Sequence, residues 1–269
     1  GGVTTVEIKS GYGLAPAHEA KMLRAARAAA GPVDVVTTFL GAHVRPPGRD
    51  DYVDEVVGAQ LDACAELADA VDVYCDRGAF TLAEAERVLR AARDRGLPIK
   101  VHAEQVAFTG VAALAAGMGA LSCDHVERVD DAGVAAMAAH GTVAVLLPGA
   151  MLYLRDPSPP VAKLRAARVP MAIGTDFNPG SSPVRDLWSC ATLACLTMGL
   201  TVVEALAGVT SVAARALGRD DVGVLRPGAR GDLALFAPPP GEPPELRVLV
   251  QYLGPHRATA VYKDGARVC

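Results

Sequence analysis

The chain is 269 residues long, with 26 Lys+Arg against 30 Asp+Glu and a formal net charge of −4 at pH 7. That length suits one large α/β domain or one domain with a small appendage, and the mildly acidic balance excludes a strong electrostatic case for nucleic acid. Hydrophobic residues make up 51% and aromatic residues only 4%, which favours helices packed closely on a sheet, and no run reaches the roughly 18 uninterrupted apolar residues of a membrane span.

Short β-branched runs alternate with longer helical stretches, the pattern of βα units around a parallel sheet. Strands are predicted at Val3–Ile8, Val33–Phe39, Val71–Tyr74, Pro98–His102, Ala120–His125, Thr142–Leu147 and Pro170–Thr175. Between them, Thr81 and Glu84 form a capping-box pattern that opens a helix, and Asp130–His140 reads as a helix closed by Gly141. After Thr175 a Gly/Pro/Ser loop leads to helices at about Val184–Gly199, Thr201–Val209 and Val212–Leu217. The turn-rich run from Gly223 leads into a further strand, and Arg257–Val268 reads as a hairpin turning at Lys263-Asp264-Gly265.

Seven strands with intervening helices are one short of a closed (β/α)8 barrel. The predicted fold class is therefore α/β, an incomplete TIM-like barrel in which strands 2–8 are present and the first is missing. Residues 1–222 are expected to form that barrel and residues 223–269 the C-terminal part of a small β subdomain. The chain opens on Gly1-Gly2-Val3 without Met, which suggests a chain cut inside a domain. The six cysteines form no Cys-x-x-Cys pair and no disulfide framework. With no signal-peptide pattern at the N-terminus, a reducing cytoplasm is the expected location.

In a parallel barrel the reactive side chains stand at the C-terminal ends of strands. Those ends read Lys9-Ser10-Gly11-Tyr12-Gly13, then Gly41-Ala42-His43, Tyr74-Cys75-Asp76, His102-Ala103-Glu104-Gln105, Cys123-Asp124-His125 and Thr175-Asp176-Phe177-Asn178. Three of the six histidines thus close three strands. His102 reads either as a metal ligand through its neutral imidazole or as a histidine satisfied by a backbone carbonyl. Asp176 reads either as a buried carboxylate compensated by a metal or cation or as an N-cap. His125 has the same pair of readings as His102, with a catalytic or water-orienting use favoured, and His43 could donate a hydrogen bond to a substrate carbonyl. His18, His140 and His256 read as structural. Gly11-Tyr12-Gly13 lacks both G-x-G-x-x-G and the Walker signature, so a nucleotide site has little support.

The segments Thr4–Leu14, Phe39–His43, Val101–Gln105 and Gly174–Ser182 together resemble the imidazolonepropionase family, the amidohydrolase-superfamily branch of histidine degradation. Glu204–Thr210, Ala213–Gly218 and the Pro227-Gly228 to Gly231-Asp232-Leu233-Ala234 run are similar as well, so the likeness extends from Val3 to about Lys263. It implies hydrolytic opening of 4-imidazolone-5-propanoate to N-formimidoyl-L-glutamate with one Zn²⁺ or Fe ion. By motif position it implies His102 and Asp176 as metal ligands, and His125 and Asp176 as the catalytic pair. It also implies substrate contacts from Tyr12, His43, Gln105, Asn178, Gly180 and Ser181.

Two departures from the family pattern stand out. The first-strand His-x-His pair and the Arg that follows it are absent, which the missing strand explains. Gln105 stands where some members have Glu, so Asp176 and His125 must share the role of base, with Glu104 a weaker candidate. With two of four metal ligands absent, the 269-residue chain alone is expected to bind metal poorly. The implied partner is a small-molecule substrate, with no nucleic acid and no membrane, and a homodimer left open. The competing functions are another mononuclear amidohydrolase, such as a nucleobase-type deaminase, and an inactive barrel fragment with a binding role.

Overall fold

The computed structural model describes residues 1–269. The chain packs as two units, one of Thr5–Thr142 and one of Gly1–Thr4 with Val143–Cys269. In the first unit, β1 (Thr5–Lys9), β2 (Asp34–Ala42), β3 (Ala70–Cys75), β4 (Ile99–Ala103) and β5 (Ser122–His125) form a parallel sheet in chain order. Helices Pro16–Ala28, Leu82–Asp94, Val111–Gly117 and Asp131–His140 separate these strands or follow them. In the second unit, β6 (Val143–Leu146) pairs in parallel with β7 (Met171–Ile173), and β8 (Leu233–Leu235), β9 (Ala260–Lys263) and β10 (Ala266–Arg267) form an antiparallel sheet. The seven parallel strands are those of an incomplete (β/α)8-type barrel, with the antiparallel sheet separate from them. No helix is long and apolar enough to cross a membrane.

The helix Leu82–Asp94 shows how sequence and packing agree. Thr81 and Glu84 complete the reciprocal capping box, satisfying two N–H groups that the first turn leaves without intrahelical partners. The buried residues Ala85, Val88, Leu89 and Ala92 recur at helical spacing, so one stripe of the helix is buried. Asp130 caps the helix Asp131–His140 by accepting from Gly133 N, and Gly141 closes it at φ +70°, a left-handed conformation that glycine adopts without steric cost.

Alternation along the strands positions the site. Side chains two apart share a face, so Glu7 and Lys9, Asp72 and Tyr74, Lys100 and His102, and Ser122 and Asp124 each form a same-face pair. The ladder sets them side by side, with Asp72 opposite Lys100, Tyr74 opposite His102, Lys100 opposite Ser122 and His102 opposite Asp124. The alternate residues Val71, Val73, Ile99, Val101 and Cys123 are buried and apolar. One face of this sheet is therefore a charged layer, in place of the branched aliphatic layers that usually fill such barrels.

Candidate metal centre and its surrounding loops

At the core of the charged layer the Lys9 ammonium donates to Asp72 Oδ2 at 2.5 Å and to Asp124 Oδ2 at 2.8 Å. Lys100 donates to Glu7 Oε1 at 2.7 Å, and the Ser122 hydroxyl donates to Asp124 Oδ1 at 2.7 Å. The side chain of Asp72 is wholly buried and that of Asp124 is 6% exposed. Charges removed from water in this way persist only when paired and hydrogen-bonded. Burial opposes the charge on Lys9, yet Asp124, Asp72 and Glu7 together hold its pKa well above the ordinary lysine value. Burial likewise works against the ionised carboxylates. For Asp72 it is outweighed by His102 and Lys9, and for Asp124 by Lys9 and Lys100, so both remain below the usual range.

His102 sits directly on this layer, 7% exposed, with Nδ1 3.1 Å from Asp72 Oδ1. Candidate ligand atoms of Asp72, His102 and Asp124 lie within 4.8 Å of one another, which makes this a candidate metal centre. Its chemistry is divided, because the two carboxylates already accept from Lys9 while His102 has its second ring nitrogen, Nε2, to offer. A neutral imidazole oriented by a carboxylate is the usual form of a histidine metal ligand, so the donor set fits a metal held through His102.

Around His102 the structure gathers four of the predicted residues. Ring centroids of His102 and His125 lie 5.5 Å apart, those of His43 and His102 6.3 Å, and those of Tyr12 and His43 4.8 Å in an edge-on arrangement. Gln105 joins through Tyr74, whose hydroxyl donates to Gln105 Oε1 at 3.1 Å and whose ring centroid lies 5.8 Å from that of His102. A register shift in β2 between Phe39 and Ala42 immediately precedes His43, as bulges that re-aim a side chain do. His125 and Val126 have φ of +79° and +61°, and Glu104 has +58°. Strain of this kind concentrates at functional sites.

Burial and the neighbouring His102 push His43 down to about 4, and its Nδ1 is buried without a hydrogen-bond partner. A histidine whose folded pKa lies below its ordinary 6.5 favours the unfolded chain when protonated. Its contribution to stability is therefore complete above about pH 6.5 and disappears as pH falls towards about 4. Thermal unfolding across that window should show a loss in the native chain that is reduced in His43→Gln.

Three buried carboxylates fix the loops that carry these residues. Glu19 accepts from the backbone N–H groups of Gly11, Gly13 and Leu14, Asp76 from those of Val106 and Ala107 at 2.8 Å each, and Glu104 from those of Thr109 and Ala112. Glu104, the weaker base candidate, is thus committed to its loop, and burial raises its pKa against those bonds. Hydrogen bonds to a charged group contribute about 1.5–3 kcal/mol each. Glu19→Ala should therefore cost at least about 3 kcal/mol in chemical denaturation and release the Tyr12 loop. Glu127 escapes the sequence reading altogether. Its side chain is fully buried, neither carboxylate oxygen has a hydrogen-bond partner, and Oε1 lies 3.8 Å from His125 Nδ1.

The second unit brings the remaining predicted residues together. Asn178 Nδ2 donates to Asp176 O at 2.7 Å and to Ser181 Oγ at 2.9 Å. Its Oδ1 accepts from the backbone N–H groups of Gly180 and Ser181 at 2.8 and 2.7 Å. Asp176 corrects one expectation. It is half-buried and stands at φ +47°, a left-handed conformation in the loop that follows β7. It does not cap a helix, since the next one is capped by Asp186.

Comparison with known proteins places this geometry. The sequence model of the amidohydrolase family matches residues 1–269. The chain belongs to the amidohydrolase family. Relatives named imidazolonepropionase include those of Polaromonas sp., 57% identical over 84% of this chain and 56% of its own length, and of Paracidovorax citrulli, 56% identical over 87% and 59%. That of Verminephrobacter eiseniae is 52% identical over 98% of this chain and 59% of its own length. The chain thus spans about 60% of the length of these relatives. Among solved amidohydrolase-like structures, an atrazine chlorohydrolase variant from Arthrobacter aurescens aligns with TM-score 0.79 at 18% identity, covering 99% of this chain and 68% of its own. A guanine deaminase from E. coli aligns with TM-score 0.77 at 14% identity, covering 99% and 70%. At such identities these two share the fold alone.

Proposed function

We propose that the protein carrying these residues hydrolyses 4-imidazolone-5-propanoate to N-formimidoyl-L-glutamate in the cytoplasm, using one Zn²⁺ or Fe ion. The observation that carries this reading is the meeting of Tyr12, His43, His102 and His125, with Gln105 held by Tyr74, at the ends of consecutive strands in a chain 52–57% identical to imidazolonepropionases. His102 and Asp176 would hold the metal from this chain. When bound, the ion would acidify a water molecule and polarise the carbonyl that the water attacks.

The remaining steps fall to the chain's own groups. Asp176, half-buried and so accessible, takes a proton from the attacking water and returns it to the ring nitrogen as the carbon–nitrogen bond breaks. His125 and His43 donate to the oxygen that becomes negative as the carbonyl carbon turns tetrahedral. His43, neutral at physiological pH because its pKa lies at about 4, can act only through an N–H. Gln105 binds the ring in an orientation held by the Tyr74 hydroxyl. Asn178, Gly180 and Ser181 present backbone and hydroxyl donors to a carboxylate, which must compete with the bonds that close their loop.

Product analysis by NMR separates this function from its rival. Ring opening should yield the formimidoyl product without ammonia. Ammonia release from a cytosine- or guanine-like ring, with the imidazolone untouched, would establish a deaminase.

A further inference from the structure

Asp72, His102 and Asp124 have the composition of a three-ligand cation site, but Lys9 already bonds both carboxylates. Lysine has three donors and no acceptor, so the Asp72 oxygen facing it, Oδ2, can only accept. The other oxygen, Oδ1, faces His102 Nδ1 at 3.1 Å. A carboxylate engaged by an ammonium on one side has only acceptor capacity for the imidazole on the other. Which ring nitrogen carries the proton is set by the bond the other makes.

We propose that Lys9 and Asp72 are positioning residues that lock His102 as the Nδ1–H tautomer with the Nε2 lone pair presented to the metal, and that Lys9 itself occupies the space between Asp72 and Asp124. This rests on the reading of His102 as a metal ligand and extends it to the groups beneath. The strand ladder builds the relay. Asp72 and Lys100 are ladder neighbours, as are His102 and Asp124, and Lys9 reaches Asp72 and Asp124 from β1. Tyr74, the ladder neighbour of His102, is committed to Gln105 through its hydroxyl.

The lysine gives the test its direction. In Asp72→Asn the shape is kept, but Lys9 has no acceptor to offer the amide NH₂. The Asn oxygen must turn to Lys9 and the NH₂ to His102, so Nδ1 becomes an acceptor and the proton moves to Nε2, where it blocks a metal. Asp124→Asn neutralises the other carboxylate partner of Lys9 while leaving it an acceptor, and does not touch the 72–102 bond.

Ring-nitrogen chemical shifts of His102 in the ¹⁵N-labelled, metal-free protein read the tautomer directly, and chelator competition reads Zn²⁺ affinity. The native chain and Asp124→Asn should show the proton on Nδ1. Asp72→Asn should show it on Nε2, with Zn²⁺ bound about 10–100-fold more weakly, the range for loss of such a partner. A native His102 protonated on Nε2, a measurement that needs no variant, would overturn the proposal. So would a tautomer unchanged in Asp72→Asn. An inverted tautomer with unaltered Zn²⁺ affinity would instead remove His102 from the metal site, contradicting the functional reading on which the proposal stands and overturning it from that side.

Discussion

Replacing Lys9 with Met is expected to destabilise the chain by about 3–5 kcal/mol, the cost of breaking a buried ion pair from one side. The size follows from what is left behind. Asp72 has a wholly buried side chain and Asp124 is nearly as enclosed, and each would lose its ammonium partner. Lys100 cannot replace Lys9, because its ammonium bonds Glu7. Met fills much of the volume of the lysine stem, so the loss reports charge more than packing. Urea denaturation of the native chain and Lys9→Met measures the difference. A change under about 1 kcal/mol would mean that water reaches these carboxylates and that the layer is not a closed network.

Asp176→Asn is expected to lower kcat about 10²–10⁴-fold, the range for loss of a positioned acid or base. It should leave stability within about 0.5 kcal/mol, as surface substitutions do. The split follows from the residue's setting. Its carboxylate is half-buried, and within the loop it accepts from Asn178 Nδ2 at 3.3 Å. Asn tolerates the φ of +47° found here. Parallel kinetics and thermal unfolding check both halves. A variant with native turnover would assign the proton transfer elsewhere, with His125 the next group to test.

Much of the fold can be read from sequence because its signals are local. The strands Thr5–Lys9, Ala70–Cys75, Ile99–Ala103 and Ser122–His125 lie within a residue or two of their predicted positions, since a β-branched run bounded by turn residues has few alternatives. The capping box at Thr81–Glu84 and the glycine stop at Gly141 were legible for the same reason. Tyr52–Cys64 is harder to anticipate. It breaks into short α segments around a π stretch with Gly58 at φ −102° and ψ −105°, an irregularity that no periodicity announces.

The site divides along the same line. Histidines at strand ends could be found from spacing, whereas the layer beneath them depends on which strands become neighbours. Val-Glu-Ile-Lys, Val-Asp-Val-Tyr and Ile-Lys-Val-His each alternate polar with apolar residues. That period of two was available as a sign that one face of a buried sheet is charged. What it could not supply is the pairing of Lys9 with Asp72 and Asp124, 63 and 115 residues away. The apolar run Ala172-Ile173-Gly174 points to a buried Asp176, whereas the structure leaves it half-buried. The left-handed turn after β7 depends on the loop that Asn178 organises.

The central claim is that one cation is held by His102 and Asp176. Anomalous diffraction from crystals of the Zn²⁺-loaded protein tests it most directly. At saturating Zn²⁺ the account expects a single peak at His102 Nε2 and the Asp176 carboxylate, with Lys9 still seated between Asp72 and Asp124. A peak between Asp72 and Asp124 with Lys9 displaced, or zinc bound away from His102, would contradict it.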